Sequence, residues 1–385
     1  MEPEARKAAD ALSPTGTPDY GSALNERLGE ACEADGFLPF DRFMETALYS
    51  PGVGYYERAA SAPGPSGDFY TAGQVSPLFA ECLAARIADE FRRLGDPERF
   101  RVVEVGPGDG TLAAATVRAL APRLPETAGV EYVLVERSRA LRERAFTSLE
   151  AACRGSTVRA RSLPQLGSDG PFEGVVVANE LLDALPAERW VARGGSWCEV
   201  GLTRQGERWT FAERAKSGTL PLENPPLPVE EGTVFERSGP ALTFPREIAD
   251  HLSRGSAILI DFGASEDELL LGRPNGTLAA LRAHRPVEDP LERPGETDLS
   301  TFVNFTRLRE AARRAGLIER SFLRQRDALG AWGFPKLLEE ALARSTSAEA
   351  SVRLQLAAKN LLFGFENFWV LELSAPGPRR PGATS

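Results

Sequence analysis

Cysteine and histidine are scarce in this sequence. Its 385 residues include four cysteines and two histidines, and the cysteines are dispersed, with no C-x-x-C pair. A structural zinc site needs about four clustered cysteine or histidine ligands. We therefore predict no metal site and no disulfide framework, with the cysteines reduced in the core.

Long hydrophobic runs and blocks of basic residues are also missing. No segment approaches the roughly 20 apolar residues of a membrane-spanning helix, so no membrane partner is expected. The first ten residues are acidic and lack the apolar stretch of a secretory signal, which predicts a cytoplasmic protein. The net charge is −10, and no basic, aromatic-rich block predicts a nucleic-acid partner. An acidic surface instead suits a cationic ligand or a basic peptide.

Short apolar strands alternate with amphipathic helices from residue 77 onward. Strands are predicted at residues 101–105, 131–135, 174–178 and 257–260. The third is nearly continuous in apolar residues, as a buried parallel strand should be. Ser138 is placed to cap the helix that follows the second strand. This alternation predicts an α/β fold with a doubly wound, Rossmann-like parallel sheet.

The remaining segments predict how the chain is divided. Glycine turns between strand-like runs predict β-hairpins within residues 190–211, and a helical pattern runs from about Leu24 to Ala34. We predict disordered tails at 1–20 and 374–385 and an added N-terminal helical segment at 21–76. The core is predicted at 77–189 and 246–373, and it contains a long loop at 261–305. A β-rich α+β insertion on the substrate side is predicted at 190–245.

A glycine-rich loop follows the first predicted strand. It has the sequence Val-Glu-Val-Gly-Pro-Gly-Asp-Gly from residue 103 to 110 and leads into a helix. Taken alone, it fits a dinucleotide loop or an ordinary turn, since glycine lets the backbone turn sharply or approach a ligand. The two carboxylates would repel a pyrophosphate but suit the ammonium and sulfonium of S-adenosylmethionine, and the G-x-G-x-G spacing points the same way. We assign to the cofactor Glu104, Gly106, Gly108, Asp109 and Gly110.

Two other strand ends carry polar residues. Glu136 ends the next strand, where it is placed to accept hydrogen bonds from the two ribose hydroxyls of such a cofactor. Asn179 follows the buried strand at 174–178 and is assigned to the same cofactor. Both positions lie at the carboxyl edge of the predicted sheet, where open α/β folds bind ligands.

Carboxylates follow directly after Asn179. Glu180 and Asp183 are three residues apart and share a face if this segment is helical. Such a pair can hold a guanidinium by bidentate hydrogen bonds and take its proton as methyl transfer develops, which makes both residues catalytic candidates. The alternative is an acid at a helix N-terminus and a surface acid. Asp261, after the strand at 257–260, is either a site residue or a cap.

These motifs resemble the MidA family. The matching stretches span residues 37–373 and include 43–56, 67–72, the glycine loop, 179–186, 259–263 and 284–299. The resemblance implies a class I methyltransferase that uses S-adenosylmethionine, with the N-terminal segment covering the cofactor. It makes Asp68 and Thr71 cofactor neighbours and places residues 282–305 in the substrate-side cover. The mitochondrial members of this family methylate an arginine of a respiratory complex I subunit.

Several positions depart from the pattern of that family. Asp109 stands where an arginine is usual, Leu181 and Leu182 replace an aromatic pair, and Phe302 and Asn304 lie in another altered stretch. Three functions stay open. The favoured one is arginine methylation of a protein, and the departures on the substrate side motivate methylation of a small molecule instead. The third is a non-catalytic assembly factor that binds a partner protein. The sequence leaves a homodimer open.

Overall fold

The computed structural model describes residues 20–58, 76–206, 208–215, 229–282 and 285–375. The predicted tails lie almost wholly outside these ranges, although a helix already includes Tyr20 and a strand still includes Ser374. Asp68 and Thr71, the two predicted cofactor neighbours, also lie outside the described residues. Within these ranges, every helix is too short or too polar to cross a membrane.

A mostly parallel sheet forms the centre of the molecule. Its main strands are β2 (Phe100–Val105), β3 (Val130–Val135), β4 (Val158–Leu163), β5 (Phe172–Asn179), β10 (Leu252–Ala264), β15 (Ile318–Arg324) and β16 (Phe368–Ser374). They lie in the order β4-β3-β2-β5-β10-β16-β15, and β16 runs antiparallel to both of its neighbours. A short β14 (Val303–Asn304) pairs with the end of β10. The winding direction reverses between β2 and β5, which creates a topological switch point at their carboxyl ends.

Helices cover both faces of this sheet. One face holds α3 (Pro77–Arg93), α4 (Thr111–Leu120), α5 (Arg139–Cys153), α9 (Gln325–Ala331), α10 (Phe334–Ala343) and α11 (Ala348–Phe363), and the other holds α6 (Gly239–His251) and α8 (Phe305–Arg314). Successive residues of one strand enter opposite cores, as Val102 and Val103 do, because strand side chains alternate between faces. The predicted doubly wound α/β fold is confirmed, and Ser138 caps α5 as predicted, accepting from the Leu141 amide at 3.4 Å.

A second, antiparallel sheet lies beside the first. It contains β1 (Leu38–Pro39), β6 (Glu188–Arg193), β7 (Ser196–Gln205), β8 (Arg208–Ala215) and β9 (Val234–Arg237). The hairpins predicted within residues 190–211 are confirmed, with tight turns after Arg193 and Gln205. Two N-terminal helices share a core with this sheet, namely α1 (Tyr20–Glu30) and α2 (Phe40–Tyr49). A turn of 3₁₀ helix at Tyr55–Glu57 follows them.

The segment predicted as a long loop at 261–305 is largely structured. It contains the end of β10, then α7 (Glu266–Gly272), β11 (Ala279–Arg282), β12 (Arg285–Pro286) and β13 (Asp298–Ser300). Ser265 and Glu268 form a capping box that starts α7, because each side chain accepts a hydrogen bond from the backbone amide of the other. The three strands pair in the order β12-β11-β13 and pack against the N-terminal helices through Leu299.

Candidate functional site

A cavity of about 610 Å³ opens at the switch point of the central sheet. It is lined by the loops after β2, β3, β4 and β5, by α6, and by residues of the N-terminal segment and of β13. Its volume lies within the range of about 300–1,000 Å³ that small-molecule sites occupy. All the predicted site residues that the structure describes line this cavity, except Gly110.

The glycine loop needs glycine for two separate reasons. Gly106 and Gly108 have φ values of +70° and +57°, a conformation that side-chain-bearing residues rarely adopt. Gly110 is also left-handed, and a Cβ there would lie 2.7 Å from the Ala145 backbone oxygen of α5. The first two glycines therefore shape the wall of the cavity, whereas Gly110 lets α4 pack closely on α5.

The two acids of the glycine loop have different environments. The Asp109 carboxylate accepts a hydrogen bond from the Thr111 amide at 2.9 Å and so supports the first turn of α4. Glu104 is buried and accepts a hydrogen bond from the Tyr132 hydroxyl at 2.6 Å. Burial raises the pKa of Glu104 to about 7, against the hydrogen bond from Tyr132, which lowers it. Glu104 is therefore only partly ionised near pH 7, and it carries less negative charge than an exposed glutamate.

Glu136 lies at the end of β3 and faces the cavity. Only 9% of the residue is exposed, and one carboxylate oxygen accepts a hydrogen bond from the Ser138 amide at 2.9 Å. Burial raises the pKa of Glu136 to about 7, while that amide opposes the rise. The amide also fixes the direction of the carboxylate, which is what recognition of a ribose diol requires.

The segment after β5 is an irregular turn and not a helix. Glu180 has a φ of +53°, which a residue with a side chain adopts only at some cost, and its amide donates to the Ile260 carbonyl at 2.8 Å. The condition under which Glu180 and Asp183 would share a helix face is therefore not met, yet both line the cavity. Asp261 acts as a cap, since its carboxylate accepts from the Leu182 and Asp183 amides at 2.8 and 3.3 Å.

Asp183 is the most deeply buried acid that lines the cavity apart from Glu104. It is 6% exposed, and its Oδ1 atom has no hydrogen-bond partner among the residues that the structure describes. Its pKa lies well above the ordinary value because of burial first and then the nearby carboxylates of Asp261 and Asp298. Asn179 likewise leaves its Oδ1 without a partner in the described chain, while its amide nitrogen donates to Glu180 at 3.1 Å.

The residues of this cavity that sequence reasoning missed include Tyr49, Tyr55, Tyr56 and Asp298. All four lie within stretches that match the MidA family, which was the available signal, but no chemistry was assigned to them. Among the acids that line the cavity, Asp298 lies near enough to Asp183 to raise its pKa. Among the described residues, no group of three or more His, Cys, Asp or Glu side chains is placed to hold a metal ion.

Comparison with known proteins identifies the family of this chain. Residues 82–322 match the model of a family described as "putative S-adenosyl-L-methionine-dependent methyltransferase". The chain belongs to this family. A Burkholderia thailandensis protein crystallised with S-adenosyl-homocysteine is 33% identical, with a TM-score of 0.82 over 95% of this chain and 96% of that one. The protein is an S-adenosylmethionine-dependent methyltransferase, as the resemblance to the MidA family predicted, and a methyl acceptor is its second substrate.

Curated relatives of this methyltransferase carry a more specific name. A Drosophila melanogaster protein named as a mitochondrial homolog of protein arginine methyltransferase NDUFAF7 is 28% identical over 350 residues, which cover 82% of this chain and 74% of that one. The Homo sapiens protein of that name is 24% identical, over 84% of this chain and 76% of the other. These relatives are mitochondrial, so the predicted cytoplasmic location is wrong: the absence of a recognisable leader does not determine a compartment.

The residues of the cavity fit S-adenosylmethionine. The left-handed Gly106 and Gly108 give the loop that lines the cavity a backbone conformation that residues with a side chain rarely adopt. Glu136 offers an oriented carboxylate for a ribose, and the unpartnered Asn179 Oδ1 can accept from an ammonium. We propose that these four residues hold the cofactor, with Glu104, Asp109 and Gly110 supporting the loop.

Glu136→Gln should weaken S-adenosylmethionine binding about 10- to 100-fold, because a neutral amide replaces a charged acceptor of two hydrogen bonds. Isothermal titration measures this loss. Glu143→Gln is the matched control, since Glu143 is exposed on α5 and pairs with Arg139. Equal affinities in the wild type and Glu136→Gln would remove Glu136 from the cofactor site.

The affinity should also depend on pH through Glu136. Its pKa of about 7 in the free protein means that the carboxylate becomes charged as the pH rises through neutrality. We expect binding to strengthen between about pH 6 and pH 8 in the wild type, and less so in Glu136→Gln. The same titrations at several pH values test this, and identical pH profiles for the two proteins would contradict it.

Proposed function

We propose that this methyltransferase modifies a guanidinium nitrogen of an arginine side chain in a protein. The observation that carries the proposal is that Glu180, Asp183 and Asp298 line the same cavity as the glycine loop. A guanidinium stays charged in water and is matched by carboxylates in a fork geometry. The names of the curated relatives support the same acceptor.

Glu180 and Asp183 position the acceptor in this proposal, and Asp183 also accepts a proton. When bound, S-adenosylmethionine supplies a methyl group activated by its positively charged sulfur. Glu180 and Asp183 hold the guanidinium so that one nitrogen points toward the glycine loop, and positioning of this kind supplies much of the rate. As that nitrogen gains the methyl group it loses a proton, which Asp183 Oδ1 accepts. Burial and the nearby carboxylates keep the pKa of Asp183 high in the free protein, so binding of the guanidinium cation is what ionises Asp183 and allows it to accept this proton.

The test is transfer of a radioactive methyl group from labelled S-adenosylmethionine. The purified enzyme is incubated with the protein fraction of a cell extract and, separately, with its small-molecule filtrate. Acid hydrolysis of the labelled proteins followed by chromatography should yield methylarginine as the labelled amino acid. Label only in the filtrate, or only in lysine or another residue, would overturn the arginine acceptor. Asp250→Asn, which changes an exposed acid on α6, is the control variant and should transfer methyl groups at the wild-type rate.

A further inference from the structure

The strands of the central sheet set the order in which the loops meet the cavity. Their carboxyl ends follow one another as β5, β2, β3 and β4, about 4.8 Å apart. Asn179 therefore lies on one side of the glycine loop and Glu136 on the other, and the loop after β4 comes next to Glu136. The Glu136 amide also donates to the Leu163 carbonyl at 3.3 Å, which holds the start of that loop beside Glu136.

This order fixes where the base of the cofactor extends when its ribose is held by Glu136. In S-adenosylmethionine, the base and the methionine chain leave the ribose ring from opposite sides. The chain runs toward the glycine loop and Asn179, because these hold its ammonium end in the proposed cofactor site. The base is then directed away from β2 and toward the loop after β4, whose residues 164–166 line the cavity.

One face of α6 closes this part of the cavity. Phe244, Glu247 and His251 all line it, and their spacing of three and four residues puts them on one side of the helix. A Cβ at Gly167 would collide with the His251 ring, so α6 lies directly against the loop after β4. Phe244 belongs to the apolar core on this side of the sheet and Leu166 packs against it, which provides an apolar surface for a flat ring.

Glu247 is the group on this surface that can distinguish one base from another. Of the described residues from α6 and from the loop after β4 that line the cavity, it is the only acid. A carboxylate accepts hydrogen bonds and donates none, whereas Gln165 and His251 can each donate as well as accept. Adenine carries a donating amine at the position where hypoxanthine carries an accepting carbonyl oxygen. A carboxylate at this place therefore favours adenine and disfavours hypoxanthine.

We propose that this face of α6 binds the base of the cofactor and that Glu247 is a specificity-determining residue, which accepts a hydrogen bond from the exocyclic amine of adenine. The inference rests on the proposed placement of the ribose at Glu136. Phe244 and Leu166 contact the rings of the base. A hypoxanthine base would bring its carbonyl oxygen to the Glu247 carboxylate, and two acceptors facing each other leave both without a donor.

The test compares S-adenosyl-homocysteine with S-inosyl-homocysteine, which carry adenine and hypoxanthine on the same ribose and chain. Titration calorimetry of the wild type should give tighter binding of the adenine compound by about 10-fold or more. In Glu247→Gln, whose amide can also donate, this preference should fall to about 3-fold or less. The affinity of the variant for the inosine compound should equal or exceed that of the wild type. Asp250→Asn, which changes a neighbouring exposed acid of α6, is the matched control and should keep the full preference.

The outcomes separate this inference from the proposed cofactor site. A preference that Glu247→Gln retains in full, or that Asp250→Asn loses as well, overturns the role of Glu247. A wild type that binds both compounds equally overturns recognition of the base by α6 but leaves the ribose site, which the Glu136→Gln titration tests separately. A wild type that binds neither compound overturns the cofactor placement together with this inference. Glu247 is exposed, so its replacement leaves the core intact, and a thermal melt equal to that of the wild type verifies folding.

Discussion

Asparagine in place of Asp183 should lower the rate of methyl transfer to arginine by about 100-fold or more, the usual contribution of a general base. The change keeps the shape of the side chain but removes the carboxyl group that is proposed to ionise when the guanidinium binds and then to accept its proton. Burial and the neighbouring carboxylates keep the pKa of Asp183 high, so the free protein gains nothing from charge at this position. We therefore expect the thermal stability of Asp183→Asn to equal or exceed that of the wild type.

Initial rates with labelled S-adenosylmethionine and the arginine acceptor measure the effect, and titration of the cofactor provides the internal check. Cofactor affinity should stay within about 3-fold of the wild type, because the loss concerns the acceptor end of the cavity. Asp250→Asn should keep the full rate. An Asp183→Asn enzyme that transfers methyl groups at the wild-type rate would remove Asp183 from catalysis.

Gly106→Val should abolish S-adenosylmethionine binding, with a loss of about 100-fold or more. Gly106 has a φ of +70°, where a β-branched residue is strongly disfavoured. A Cβ would also lie 2.7 Å from the Leu181 side chain, so the glycine loop and the turn after β5 must move apart. Both segments line the cavity, and their displacement deforms the cofactor site.

Gly155→Val separates this local effect from general strain. Gly155 has a φ of +72°, and a Cβ there meets no atom within 4 Å. Both variants therefore introduce a similar backbone penalty, roughly 1–2 kcal/mol, but only one of them alters the cavity. Titration calorimetry should show wild-type affinity for Gly155→Val. Retained binding in Gly106→Val, or an equal loss in both variants, would contradict the assignment of the glycine loop.

Local sequence patterns predicted most of the central sheet. The strands predicted at 101–105 and 131–135 lie within β2 and β3. A short apolar run between two amphipathic helices is typical of a buried strand. The glycine loop and Glu136 also occur at strand ends, as expected, since parallel strands bring their carboxyl ends to one edge. These predictions depend only on neighbours in sequence.

Contacts between distant segments could not be predicted in the same way. Tyr56 and Asp298 are 242 residues apart, and their bond depends on β13 packing against the N-terminal helices. The left-handed backbone of Glu180 depends on its amide reaching the Ile260 carbonyl of β10, which no local pattern encodes. The helix on which the pairing of Glu180 and Asp183 was conditional does not form for that reason, and the sequence predicted the surroundings of these acids only in part.

Some departures from the family pattern have structural roles. Asn304 caps α8, because its side chain accepts a hydrogen bond from the Arg307 amide at 3.1 Å, and it also donates to Glu266. Phe302 packs edge-on against Phe262 with ring centroids 5.1 Å apart. Leu181 contributes directly to the cavity wall. Of these positions, Leu181 is the one placed to alter the acceptor that fits.

The most direct test is a crystal structure with an adenosine in which an alkyl chain that ends in a guanidine replaces the terminal ribose hydroxyl. We expect the ribose hydroxyls on Glu136, the chain passing the glycine loop at Gly106 and Gly108, and the guanidinium at Glu180 and Asp183. A probe bound with its ribose at Glu136 but its guanidinium directed to solvent would contradict the arginine acceptor. A probe bound outside this cavity would contradict the cofactor site as well.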